Sequence, residues 1–265
     1  SHFFLAHNLI HNSIIFLVGL FCCLFFTKSN FEKKEFQLLL IVFFLLLIAL
    51  YGFKTHDDFP YYHFPYTNFL TKSDIIIGIG NYDHGWRTPS SIFYFNSLFY
   101  LPLITHHLFH IGASLIMGFS LVSLSIEAYK KILSNRIDIT FYFKLLSLVF
   151  ILIFFYRISE HGTDRSAQIL SFLLVLEILL FIMKQQKFKN FLIKYLTLSS
   201  LIVSLKSFYF IYLIFVIPII HFMYKEKKIY QIKNVLKNSF FYFSIILIFL
   251  ILFINVMNTG CLIYP

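Results

Sequence analysis

The sequence is poor in charge. Asp, Glu, Lys and Arg make up 13% of its 265 residues, about half the share usual in soluble domains. It has nine glycines, six prolines and one tryptophan, so there are no flexible or proline-rich linkers and no sign of separate domains. It has three cysteines, of which Cys22 and Cys23 sit in an apolar run and Cys261 lies near the end. That excludes a disulfide framework and a CxxC-type metal site. No internal repeat is present. The first twelve residues contain no Lys or Arg, unlike a secretory leader. The chain begins at Ser1 and stops at Tyr264-Pro265 just after an apolar run, and the expectation is a fragment of a longer protein.

What fills the sequence is apolar. Hydrophobic residues make up 59% and mean hydropathy is +0.79. Spanning helices need roughly 20 mostly apolar residues. The runs 9–27, 36–53, 106–126, 140–156, 169–183, 190–205, 208–223 and 240–257 meet or approach that length. The reading is an all-α, polytopic transmembrane bundle of about eight spans, one integral membrane domain over 1–265. Pro218 should kink the seventh span. Glu177 falls inside the fifth, where a carboxylate is costly. Either it serves function or it stays protonated against a neighbouring helix.

The net charge of +10 follows from topology. Loops 28–35, 127–139, 184–190 and 224–239 hold 14 of the 22 Lys and Arg. The alternate set 1–12, 54–105, 157–168 and 206–207 holds six although it is longer. By the positive-inside rule the first set is cytoplasmic, and no nucleic-acid partner is needed to explain the charge. Six of the twelve acids (Asp57, Asp58, Asp74, Asp83, Glu160 and Asp164) fall on the outer side. Ten of the eleven histidines lie on or near that side.

Loop 54–105 is long enough to be functional or structured. Its part Ser90–Ile104 reads as an interfacial or re-entrant helix along the outer leaflet. The pair Gly78-x-Gly80 lacks the strand–helix context of a nucleotide loop. His106-His107-x-x-His110 could place two ligands on one helical face, but without a nearby carboxylate it reads as interfacial histidines.

Two stretches carry the chemistry. "YGFKTHDDFPYYHFPYTNFL" (51–70) places His56, Asp57, Asp58 and His63 just past the second span. Adjacent residues point different ways, so one aspartate can enter a site while the other does not, and Asp58 is well placed as a helix N-cap. "YRISEHGTDRSAQ" (156–168) packs Glu160, His161, Asp164 and Arg165 between two spans, with Thr163 or Asp164 available as a cap. A carboxylate from either stretch can act as general base. Arg165, Arg87 and Lys206 are the candidate phosphate partners, although Lys206 can equally be a snorkelling lysine.

An acidic motif after an early span, a long first outer loop and a second acidic outer loop resemble the GT-C type of polytopic glycosyltransferases. These include the protein-mannosyl and aminoarabinose transferases. "THDDFPYYHFPY" and "EHGTDR" look like motifs of bacterial membrane proteins related to them. The sequence departs from the pattern in placing the first motif after the second visible span rather than the first.

The resemblance implies a membrane glycosyltransferase at the periplasmic face of a bacterial inner membrane, with a polyprenyl-phosphate sugar donor and a glycan, lipid or protein acceptor. Asp57 or Asp58 would be the base or a ligand to a divalent metal. Glu160 or Asp164 would be the second acid, with His56, His63 and His161 as accessory groups. The competing readings are a multi-pass transporter or channel, and a lipid-linked polysaccharide ligase or polymerase.

Overall fold

The structure is a computed structural model that describes residues 1–52, 55, 57–155, 158–159, 163–225 and 232–263. Among the described residues it is helical, with a single isolated bridge between Leu101 and Thr105 as the only β pairing. In chain order the helices are α1 (Leu9–Asn30), α2 (Lys33–Gly52), α3 (Phe64–Lys72), α4 (Ser91–Ser97), α5 (Ile111–Leu133), α6 (Ile139–Phe154), α7 (Thr163–Ile182), α8 (Phe188–Leu205), α9 (Val216–Lys225), α10 (Ile232–Leu236) and α11 (Ser239–Thr259). Six of them, α1, α2, α5, α7, α8 and α11, are long and apolar enough to cross a membrane.

The ends follow local chemistry. Asn8, Ser90, Asp138 and Asn238 accept hydrogen bonds from the first backbone N–H groups of α1, α4, α6 and α11, the usual side-chain caps. Gly260, at φ 81°, closes α11 in the left-handed conformation that glycine adopts without strain.

Helix α7 packs on α8, α8 on α11, and α5 on α2, α6 and α7. One apolar core runs through α3, α4, α7 and α8 around Tyr66, Phe191 and Tyr195. A second joins α2, α5, α6 and α7 around Leu50, Met117 and Ile151. The outward faces of α1, α2 and α11 are almost wholly apolar, as lipid-facing surfaces are.

The two ends of the bundle differ in kind. At one, Lys130 pairs with Glu35 at 2.8 Å, and Lys131 bonds Asp138 and Gln185. These contacts bring the α1–α2, α5–α6 and α7–α8 turns together, three of the four basic loops. At the other end, Asn12 donates to the carbonyls of Ser97 and Tyr100 at 2.8 and 3.1 Å, and the Gly78 amide donates to Met257 at 2.7 Å. The described part of loop 54–105 is folded onto that end.

Several expectations need correction. The third long helix begins at Ile111, not 106, because Thr105 takes φ 50° and His106–Leu108 form a separate turn. The three histidines therefore share no helical face. The helix expected over 90–104 shrinks to Ser91–Ser97, since a reversal closed by Thr105 N–H to Leu101 O at 2.8 Å follows it around Pro102. Its side chains Ile92, Phe93, Asn96 and Ser97 are buried in the bundle. Pro218 falls in the first turn of α9, which follows directly on the 3₁₀ helix Ser207–Phe215, so the run expected as one span changes helix type two residues before the proline. Glu177 lies five residues from the end of α7, nearer the basic end than mid-span; its Oε1 pairs with Lys194 at 2.8 Å, while its Oε2 is buried with no hydrogen-bond partner among the described residues. Gly80 has a packing role: a Cβ there would stand 2.6 Å from the Thr259 methyl and 3.0 Å from the Asn258 carbonyl oxygen, so only glycine lets the loop close on α11.

Two histidines at the loop end couple the fold to pH. His7 is buried and hydrogen-bonded to Ser97 Oγ at 2.6 Å. Burial first, then His2 and His11, push its pKa down to about 3. Burial also pushes His110, its ring tilted against that of Phe59 at 4.4 Å, down to about 4. Both are neutral when folded, whereas an unfolded histidine takes up a proton near pH 6.5. Their stabilising contribution is complete above pH 6.5 and is lost as pH falls towards 4. Thermal unfolding in detergent should drop by on the order of 1–2 kcal/mol per histidine across that window, and His110→Phe should flatten the decline.

Candidate functional site

A polar cavity of about 410 Å³ opens at the loop end of the bundle. Five segments far apart in the chain build it: the stretch entering α3, the stretch Thr88–Phe93 that leads into α4, the end of α6, the first turns of α7, and the connection leaving α8. Asp58, Asp164, Arg165 and Lys206 all line it.

Asp58 stands at the N-cap position of the turn Phe59–His63, but its side chain caps nothing. It accepts a hydrogen bond from the Tyr62 hydroxyl at 3.1 Å, one helical turn on. The expected capping role is thus replaced by an orientation towards the cavity. Asp57 is exposed and does not line the cavity. The divergence of adjacent residues separates the two aspartates.

Asp164 lies in the first turn of α7, and its Oδ1 is 2.5 Å from Lys206 Nζ. Lys206 follows directly on α8, in extended backbone. The pair ties the start of α7 to the end of α8. The Arg165 guanidinium donates to the Phe154 carbonyl at 3.2 Å, bridging α7 to the last turn of α6. Tyr62 registers both acids. Its phenol pKa is raised first by burial, then by the charge of Asp58 and its hydrogen bond, and also by the charge of Asp164. Two carboxylates from segments about 100 residues apart thus act on one hydroxyl.

His63 lines the cavity too. It is buried, with its ring 4.3 Å from Tyr62 and 5.3 Å from Phe93. Arg87 is exposed and is not a lining residue, although the next residue, Thr88, is one. His56, Glu160 and His161 lie outside the described residues. Several lining groups were not found by sequence reasoning: Tyr62, Thr88, Ser90, Gln168 and Ser207. Helical spacing offered a signal for two of them, since Tyr62 is four residues after Asp58 and Gln168 four after Asp164. Nothing in the sequence marked the others.

Among the described residues no three of His, Cys, Asp and Glu stand close enough to hold a metal.

The cavity adjoins a second, apolar one. A groove of about 760 Å³ runs between α4, α5, α7, α8 and α11, walled by residues such as Phe95, Ile116, Leu173, Leu247 and Ile254. Leu205 lines both spaces, and the hydrogen bond between Ser91 and Ser204 at 3.0 Å lies at their junction. A charged chamber above the helix ends thus meets an oily groove between the helices.

Long apolar helices, an outward apolar surface and a polar chamber at one end define a multi-pass helical membrane protein. Over residues 1–265 the chain matches the family model described as Domain of unknown function (DUF8201), and it belongs to that family. No curated protein and no solved structure matches it.

Proposed function

We propose that this protein is a membrane glycosyltransferase of the GT-C type, using a polyprenyl-phosphate sugar as donor. The observation that carries the reading is the joint lining of one chamber by Asp58, Asp164, Arg165 and Lys206, beside an apolar groove. A polyprenyl-phosphate sugar has the matching form: a long apolar chain, a single phosphate and a polar ring. The chain would lie in the groove and the phosphate against Lys206 and Arg165, which are the right donors for it.

Asp58, held by Tyr62, would take the proton from the acceptor hydroxyl as its oxygen attacks the anomeric carbon. The bond from that carbon to the phosphate oxygen breaks, and polyprenyl phosphate leaves with the bonding pair. Lys206 would exchange its contact with Asp164 for the departing phosphate. Placement and charge stabilisation supply most of the remaining rate.

The fuller topology belongs to the same reading. Ser207–Phe215 as a 3₁₀ helix rises about 18 Å and α9 about 15 Å, together enough to cross a bilayer core. With α6 this gives eight spans. Loop 54–105 would then face the periplasm of a bacterial inner membrane, with the basic loops in the cytoplasm. Transport is the weaker reading, because Glu177, its main support in the sequence, is engaged by Lys194 and lines neither the chamber nor the groove.

Titration of the purified chain in detergent with a short-chain polyprenyl-phosphate hexose tests the proposal. Saturable binding is expected, weakened about ten- to a hundredfold by Lys206→Gln, because a charge-assisted bond is worth roughly 1.5–3 kcal/mol. Absence of saturable binding, or equal binding by the variant, would overturn it.

A further inference from the structure

A third cavity lies at the opposite end of the bundle. It measures about 790 Å³ and sits between the end of α7, the start of α8 and α9. Helix α7 lines the polar chamber with residues from Thr163 to Gln168 and this cavity with residues from Ile178 to Ile182, so the two lie roughly 20 Å apart along it.

Its composition is two-sided. The deep wall is aromatic and aliphatic: Phe181 stacks on Phe191 at 4.2 Å and meets Phe222 edge-on at 5.6 Å, with Pro218 and Ile219 beside them. The lining also includes Lys184, Lys187 and Lys189, all exposed, and no carboxylate. Among the described residues none of the three has an ion-pair partner, whereas Lys130, Lys131, Lys144 and Lys194 at the same end of the bundle all have one. Lys184 holds φ 55°, a left-handed position that glycine fills without strain, so local backbone preference does not account for a lysine there.

We propose that this cavity binds an anionic phospholipid from the adjacent leaflet, its phosphate held by the three lysines and an acyl chain against the Phe181–Phe191–Phe222 wall. The argument is charge complementarity joined to an apolar recess at one depth. Basic pockets between membrane helices at the positive end recognise anionic headgroups, and the leaflet facing that end is rich in them. The volume falls in the usual range for ligand sites. The proposal rests on the cytoplasmic placement of the basic loops given above, and not on the transfer reaction.

The test uses the full chain in vesicles of phosphatidylcholine with a minor share of phosphatidylglycerol. The protein is re-extracted in mild detergent and its retained lipid quantified. Retained phosphatidylglycerol is expected at more than tenfold its bilayer share. The triple variant Lys184→Gln/Lys187→Gln/Lys189→Gln should lose at least about tenfold of that enrichment, since each lysine near an anionic surface contributes roughly fivefold. The matched triple Lys28→Gln/Lys33→Gln/Lys34→Gln removes as many exposed lysines from the α1–α2 turn, none of which lines the cavity, and should keep the enrichment. No enrichment in the parent, or equal loss in the two triples, would overturn the proposal. All six lysines are exposed, so both variants should fold, and equal melting temperatures would verify it.

Discussion

Asp58→Asn should lower transfer by about 10²–10⁴-fold, the usual contribution of a positioned general base, while Asp57→Asn should leave it within about twofold. The contrast is sharp because the residues are neighbours of identical chemistry. Asp58 lines the polar chamber and accepts the Tyr62 hydroxyl at 3.1 Å, whereas Asp57 is exposed outside it. Asparagine keeps the shape and still accepts from Tyr62, so the change removes the base and little else. The measurement is single-turnover release of polyprenyl phosphate from a labelled donor by the reconstituted chain, with unfolding temperature as a control. Equal activity of the two variants would remove Asp58 from the mechanism. Equal loss in both would mean that the first motif acts through net charge rather than through one oriented group.

The sequence revealed the charged members of the chamber and left the neutral ones hidden. In a chain with only 12 acids, those outside the basic loops stand out, and Asp58, Asp164, Arg165 and Lys206 do meet in one cavity. Tyr62, Ser90 and Gln168 look like any other polar residue until the backbone brings them together. Arg87 shows the converse. Its charge marked it, but the turn His84–Trp86 leaves it exposed beside the chamber rather than within its lining.

Apolar runs located the long helices within a few residues, because burial in lipid leaves a strong compositional trace. Their ends were harder to read. The third starts five residues later than its apolar run, because Thr105 at φ 50° and the following turn carry no hydropathy signal, and it ends seven residues further on; α7 starts six residues before its run, through the polar stretch from Thr163. The buried state of α4 was also invisible, since a short apolar segment reads the same whether it lies on a membrane surface or inside a bundle.

The second large effect concerns a residue outside the chamber. Tyr66→Ala should cost about 3–5 kcal/mol, the range for truncating a fully buried aromatic, and should abolish donor binding as well. Tyr66 is 2% exposed and lies in α3. Its hydroxyl is 3.0 Å from that of Tyr94 in α4, and it accepts from Asn258 in α11 at 3.2 Å. Its ring packs on Trp86 and edge-on against Phe93. Three elements of the loop end are thus pinned to one side chain. The stretch entering α3 carries Tyr62 and His63 to the chamber, and α4 carries Ser90 and Phe93 to it, so loosening the joint enlarges and disorders the space where the phosphate would sit. Tyr66→Phe separates the two contributions. It keeps the ring but strands the Tyr94 hydroxyl and the Asn258 amide, for a cost of about 1–3 kcal/mol, and donor binding should survive. Thermal unfolding in detergent and donor titration on the same samples would read both effects. If Tyr66→Ala melts within a degree or two of the parent, the loop end is not held by this joint, and the chamber owes its shape to the Lys206–Asp164 and Arg165–Phe154 links alone.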